Sequence, residues 1–447
     1  MKKWLIGILL STFILCVLSA CGGADETSSP ASDAAETNSN GETEAVAEEQ
    51  ESGEPVEIEF WHAMSGPHEE AINEFAERFN SEHDNITVKP VNQGGYNDLE
   101  QKVMAAARAQ SLPTIAQAVT SVIPEYIANG FVAPLNDWME DPEVGLSDDE
   151  LNDYVEIFRE SSIWYNTFYS LPFSKSTRVL FYNQGILEEN GLDVPSSWED
   201  IRHISETVTG DGLIGMGFEN SFESEFQALL IQMGGVYIDE GTLEAQFAST
   251  EGIEAMSLMK ELMDEGLART AGEDDYMSNP FGRGDVAMYI GSSAGIPHVA
   301  SAAEGNIEWS TTVLPAYEGE AATSFAGNDI VLFNQADEAE QRAAWEFMKF
   351  LTSPEITAEW SMKSGYLPVR YSAEDLEDYQ AFVAENPEYL AGPSQFDAGF
   401  FVARVKGSDA VRNILLEEFD NILVGNKSVE EGLTDAQNRA NSELENQ

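Results

Sequence analysis

The spacing of apolar residues changes character several times along the chain. From Trp4 to about Val17 the residues are apolar almost without interruption, behind Lys2 and Lys3 and ahead of Leu18-Ser19-Ala20-Cys21. That is the layout of an export signal, and the run falls short of the roughly 20 apolar residues a membrane span needs. From Gly22 to Pro55 there is no aromatic and no basic residue. Such a stretch has too little apolar surface to offset the entropy of ordering and reads as a tether. A period of two then sets in at Val56-Glu57-Ile58-Glu59-Phe60-Trp61, a strand pattern. It gives way to helical spacing at Ile72, Phe75, Ala76 and Phe79. Ile86-Thr87-Val88 completes a βαβ unit. A helix is expected after Tyr96-Asn97-Asp98, through Val103 and Ala107, and a short buried strand over Thr114–Val119.

The same alternation restarts later. Val179–Tyr182 reads as a strand, and Pro195-Ser196-Ser197 gives turn and cap signals for a helix opening at Trp198. Val286–Ile290 and Ile330–Phe333 read as buried strands, and Ala344, Phe347, Met348 and Leu351 as one face of a helix. No exact short-period repeat is present. Two α/β lobes fit this sequence of elements, with ligand contacts on loops beyond the strand ends.

Composition narrows the function. The chain has 447 residues with 22 Lys plus Arg against 80 Asp plus Glu, a net charge of -58. A binder of nucleic-acid phosphates needs a clustered basic surface, so that class is excluded. With 43% hydrophobic residues the chain can still bury a core, and its length allows roughly two or three domain-sized units. The only cysteines are Cys16, inside the apolar run, and Cys21. The rest of the chain therefore has no disulfide or thiol chemistry. Leu18-Ser19-Ala20-Cys21 resembles the lipobox of bacterial lipoproteins. The resemblance implies a signal peptide over residues 1–20, diacylglycerol on Cys21 as the mature N-terminus, and an acidic disordered tether over 21–55. The folded part would then hang outside the cell from the outer face of the cytoplasmic membrane.

Several stretches together resemble the extracellular solute-binding proteins of ABC importers, in the branch that binds sn-glycerol 3-phosphate. They are Phe60-Trp61-His62-Ala63-Met64-Ser65-Gly66, Ser176-Thr177 with Val179–Asn183, Phe281–Met288, Ala358-Glu359-Trp360 with Gly365–Val369, and Val411-Arg412 before Glu417-Glu418-Phe419. The resemblance runs from Val56 to the C-terminus. It implies an α/β, two-lobed periplasmic-binding-protein fold, similar to maltodextrin-binding proteins, with a central cleft and hinge. Lobe 1 would comprise residues 56–172 with 327–368, and lobe 2 residues 173–326 with 369–447. It also implies a monomer that breaks no bond and needs no cofactor. Such a protein closes on its solute and delivers it to the membrane subunits of a permease whose ATPase is a separate subunit. No Walker-type phosphate loop occurs in this chain.

Carried over by position, the family's ligand contacts fall on Tyr96, Thr120, Ser176, Ser292, Gly327, Tyr366 and Arg412. A phosphate ester needs charge-assisted donors, and arginine offers a fork of five N–H groups, so Arg412 is the expected anchor. The alternative is a surface arginine paired with one of many carboxylates. Ser292, in Gly291-Ser292-Ser293-Ala294-Gly295 after a buried strand, could donate to an oxyanion at a helix start or serve as a plain cap. Gly327 suits a close approach of backbone to ligand, and the two tyrosines suit a polyol's hydroxyls and C–H faces. Lys175 and Arg178, beside Ser176, are auxiliary candidates. Two departures stand out: Thr120 replaces an acid of glycerol-phosphate binders, and Ser176-Thr177-Arg178 replaces Ser-Thr-Pro. The first weakens the expected grip on glycerol, so a glycerophosphodiester stays open beside sn-glycerol 3-phosphate.

A neutral sugar or oligosaccharide is the alternative ligand within the same class. An exported hydrolase using paired carboxylates is the alternative from another class, but 80 acids guarantee candidate pairs, and no H-E-x-x-H helix is present. His62 and His68, near Glu69 and Glu70, do not have the spacing of metal ligands, so no metal site is expected.

Overall fold

A computed structural model describes residues 55–274 and 276–445. The export signal over 1–20, the lipidation site Cys21 and the tether up to residue 54 lie outside the described residues.

The alternating segment at the start of the folded part forms strand β1 (Val56–His62), with Ile58 and Phe60 fully buried between exposed Glu57 and Glu59. Helix α1 (Pro67–Glu82) has proline in its first turn and buries Ile72, Phe75, Ala76 and Phe79, the four positions its spacing marks as one face. Strands β2 (Ile86–Asn92) and β3 (Ile115–Val119) lie parallel to β1 on its two sides, joined by α1 and by α2 (Tyr96–Ala109). The helix at Trp198–Val208 opens with a capping box between Ser197 and Asp200, where the turn and cap residues place it.

Two long strands organise the rest. Strand β4 (Ser170–Asn183) runs antiparallel to β9 (Thr323–Leu332) through its first half and to β7 (Val286–Ser292) through its second. With β5 (Ile214–Phe218), β6 (Ala268–Thr270), β8 (Trp309–Thr312) and β10 (Gly399–Phe401) they form one ten-stranded sheet. Its order is β6-β5-β7-β4-β9-β3-β1-β2, with β8 paired to β4 and β10 to β9. The two halves of this path carry separate apolar cores. One gathers Ile58, Phe75, Phe79, Trp345, Phe347 and Trp360. The other gathers Leu180, Trp198, Phe218, Phe226, Met256 and Phe419. The result is a two-lobed α/β protein, with β4 and β9 passing from one half of the sheet to the other.

The crossing depends on a glycine. Gly327 has φ +106°, and a Cβ there would stand 1.8 Å from the Ser174 carbonyl oxygen on β4. Any other residue would force the two crossing strands apart. Among the described residues, no helix is long and apolar enough to cross a membrane.

Candidate functional site

A cavity of about 710 Å³ is lined from both halves of the molecule, and all seven residues expected to touch a ligand line it: Tyr96, Thr120, Ser176, Ser292, Gly327, Tyr366 and Arg412. Tyr96 is the first residue of α2, which carries its ring over the crossing strands. Its hydroxyl accepts from Asn328 Nδ2 at 2.8 Å and lies 3.3 Å from the Tyr366 hydroxyl. Burial raises the phenol pKa of both tyrosines, so both stay neutral donor-acceptors. Tyr366 is stacked on Trp360, with centroids 5.6 Å apart and planes 9° from parallel, which fixes its ring. Thr120 directly follows β3, and its Oγ1 is buried with no protein partner.

The opposite wall is built by helix α3 (Glu223–Gln232) and helix α4 (Ser408–Leu423). α3 lies in the apolar core by Phe226, Leu229 and Leu230, so the acids of its first turn are buried with it: Glu223 is 5% exposed and Glu225 0%. Arg412, on α4, donates from Nε to Glu223 Oε1 at 2.5 Å. Arg178, on β4, lies 3.3 Å from Glu225. Burial pushes the Glu225 carboxyl up to about 7, opposed by Arg178. Desolvation works against the Arg178 charge, but Glu225, Glu223 and Glu219 together hold it above the usual arginine value. The cavity is therefore a polar slot between a tyrosine-rich wall and an arginine–glutamate wall, suited to a ligand with hydroxyls at one end and a negative group at the other.

The structure separates the remaining candidates. Ser292 closes β7, and its Oγ accepts from the Ala294 N–H at 3.2 Å, capping a single 3₁₀ turn (Ser293–Gly295) before the helix Ile296–Ala303. The expected direct start of a helix at this glycine-flanked serine is thus a short turn, and the hydroxyl serves as its cap. Arg178 lines the cavity, but Lys175 does not: its side chain points into the packed interior, fully buried and ion-paired with Asp329. As an auxiliary contact Lys175 is corrected to a structural residue, because three positions along a pleated strand reverse the face.

His62 is 1% exposed, and its Nδ1 accepts from the Met64 N–H. His68 Nε2 is hydrogen-bonded to the Ser364 carbonyl at 3.2 Å. Both histidines are packed into the fold. Among the described residues no group of three or more His, Cys, Asp or Glu is placed to hold a metal. Sequence reasoning missed Glu223, the carboxylate on Arg412, along with Glu100 and Asp409 on the cavity wall. The available signal was an acid pair two residues apart at the head of an apolar helix, which one acid in eighty does not make conspicuous.

Comparison with known proteins agrees with this geometry. Residues 74–391 match the family described as bacterial extracellular solute-binding protein. The sn-glycerol-3-phosphate-binding periplasmic protein UgpB of Pectobacterium atrosepticum is 26% identical over 419 residues, 87% of this chain and 91% of the relative. The protein of the same name from Escherichia coli K12 is 24% identical over 411 residues, 87% of this chain and 92% of the relative. Among solved structures, UgpB of Mycobacterium tuberculosis in complex with glycerophosphocholine superposes with a TM-score of 0.77 at 23% identity, covering 88% of this chain and 99% of that one. The cyclic α-maltosyl-1,6-maltose binding protein of Arthrobacter globiformis gives 0.75 at 25% identity, covering 88% and 100%. The family match over most of the chain, with relatives that are themselves named as binding proteins, places this protein among the bacterial extracellular solute-binding proteins.

Proposed function

We propose that the protein is the lipid-anchored receptor of an ABC importer and that its cleft captures a phosphorylated glycerol, sn-glycerol 3-phosphate or a glycerophosphodiester, for delivery to the permease. The observation that carries this reading is the convergence of Arg412 with Tyr96, Ser176, Gly327 and Tyr366 on one cavity. Arg412 binds the phosphate with the guanidinium donors that Glu223 leaves free. Tyr96 and Tyr366 meet the glycerol hydroxyls, Ser176 and Ser292 add hydroxyl contacts, and Gly327 lets the backbone come close. Thr120 supplies a neutral hydroxyl, buried and unpartnered, where an acid would otherwise accept from glycerol. Lobe 1 over 56–172 with 327–368 and lobe 2 over 173–326 with 369–447 close around the ligand, and the monomer suffices for this. Residues 1–20 direct export, and lipid on Cys21 holds the folded part on the outer face of the cytoplasmic membrane by the tether of residues 21–55.

A neutral oligosaccharide is the second reading. It is favoured by the aromatic rings of Tyr366 and Phe401 on the cavity wall and by the likeness to the maltosyl-maltose binding protein. Calorimetry on the purified chain with sn-glycerol 3-phosphate, glycerophosphocholine, maltose and maltotriose separates the two. Binding of a phosphate ligand is expected, weakened by roughly 2–5 kcal/mol in Arg412→Ala through loss of a charge-assisted contact. Binding of sugars alone, unaffected by that substitution, would sink the phosphate reading.

A further inference from the structure

The charges around the cavity restrict which phosphate the cleft can hold. Two arginines, Arg178 and Arg412, line it against three carboxylates, Glu100, Glu223 and Asp409, and no lysine contributes. Neither cation is free. Arg412 gives its Nε to Glu223, whose side chain is 6% exposed. Arg178 faces Glu225, a carboxylate sealed from solvent with neither oxygen hydrogen-bonded. Each arginine of this wall is thus already engaged by a carboxylate before any ligand arrives, and a charge in this site is screened less than in water.

A phosphate monoester brings nearly two negative charges at neutral pH, a diester only one. The Nη end of Arg412, which Glu223 does not engage, can answer one anionic group. A second negative charge would meet Glu223, Glu100 and Asp409, with only Arg178, already facing Glu225, to answer it. There is also room for the second alcohol of a diester. A chamber of about 270 Å³ shares Gln227, Phe401 and Val402 with the cleft and is otherwise walled mainly by apolar side chains such as Ile231 and Phe400.

On the reading that the cleft binds a phosphorylated glycerol, we propose that Glu223 is a specificity-determining residue: by occupying one side of Arg412 it makes the cleft select a singly charged phosphodiester over the doubly charged monoester. The acid does so as a fixed negative charge at the anion site, and the monoester is refused because its extra charge is unmatched.

The test measures affinities of the full chain for sn-glycerol 3-phosphate, its methyl diester and glycerophosphocholine, with maltotriose alongside, in wild type and Glu223→Gln. The methyl diester differs from the monoester by one charge and little bulk. Wild type is expected to bind both diesters at least about tenfold more tightly than the monoester, and Glu223→Gln to raise monoester affinity about tenfold while changing the methyl diester little. A wild type that binds monoester and methyl diester alike overturns the proposal, and this ratio needs no variant to fold. A Glu223→Gln protein that weakens both ligands equally overturns it too, since Glu223 would then only hold Arg412 in place. Binding of maltotriose with no phosphate ligand would instead remove the phosphate reading on which the proposal stands, a failure distinguishable from the other two.

Discussion

Strand β4 carries two ion pairs three residues apart, and they have opposite characters. Lys175 and Asp329 are both fully buried, with Lys175 Nζ on Asp329 Oδ1. Asp329 Oδ2 accepts from Ser170 Oγ at 2.6 Å and from Ser162 Oγ at 3.2 Å, while Lys175 Nζ lies 5.0 Å from the centre of the Phe401 ring. Arg178 and Glu225, on the cavity side, are loose by comparison. Glu225 has no hydrogen-bond donor, its carboxyl is raised to about 7, and Arg178 keeps 19% of its side chain open to the cavity. The first pair is a satisfied lock where β4 and β9 cross. In the second, Glu225 lacks such hydroxyl donors, and Arg178 is the member that faces the cavity. A buried charge pair thus reveals its role by the count of hydrogen bonds around it more than by its distance.

The largest expected effect breaks the lock. Lys175→Met removes the cation and leaves Asp329 charged and buried with only the serine hydroxyls, which should cost about 3–5 kcal/mol. Chemical denaturation of wild type and variant measures it. A loss below 1 kcal/mol would mean that the serines alone support Asp329 and that the contrast between the two pairs is overstated.

That contrast was only half legible in the sequence. The strands β1, β3 and β7 and the buried face of α1 follow from the spacing of their apolar residues. β4 does not: only Val179–Tyr182 has a strand pattern, while Ser170, Pro172, Ser174, Lys175, Ser176 and Thr177 read as a polar connection. They are buried because β9 and the surrounding lobes cover both faces, a tertiary circumstance that no local period encodes. The antiparallel pairing of β4 with β9 brings together residues about 150 positions apart and escapes a βαβ reading for the same reason. Tyr96, Thr120, Ser176, Ser292, Gly327, Tyr366 and Arg412, distant in sequence, do reach one cavity. What stayed hidden was the electrostatic partner of each cation. Lys175 and Arg178 look alike in sequence, and only the strand's pleat sends one to Asp329 and the other to Glu225.

His68 sharpens the comparison by showing burial of a titratable group that stays neutral. It is 8% exposed, packed against Trp360 and Tyr366, with the exposed His298 ring centred 5.6 Å away. Burial, with a smaller push from His298 and some relief from the Ser364 carbonyl, lowers its pKa from 6.5 to about 4. As pH falls below 6.5 the unfolded chain takes up this proton and the folded one does not. Stability is therefore lost from pH 6.5 down to about 4, by roughly 3 kcal/mol in all. Melting across that range should show the slope in wild type and a flatter one in His68→Gln; equal slopes would mean that His68 accepts a proton in the folded state.

The smallest effect concerns a neutral contact beside the Lys175–Asp329 pair. Asn328 follows Gly327 and precedes Asp329 on β9, is fully buried, and donates Nδ2 to the Tyr96 hydroxyl while its own Oδ1 has no partner. Tyr96→Phe leaves that amide with no side-chain partner and frees Tyr366 of its hydroxyl neighbour. The expected loss is about 1 kcal/mol of stability, the usual worth of a buried neutral hydrogen bond. The same variant should weaken ligand binding, since Tyr96 lines the cavity. A stability loss as large as that of Lys175→Met would mean that the tyrosine wall belongs to the lock; unchanged ligand affinity would mean that Tyr96 only shapes the cleft and does not touch what it holds.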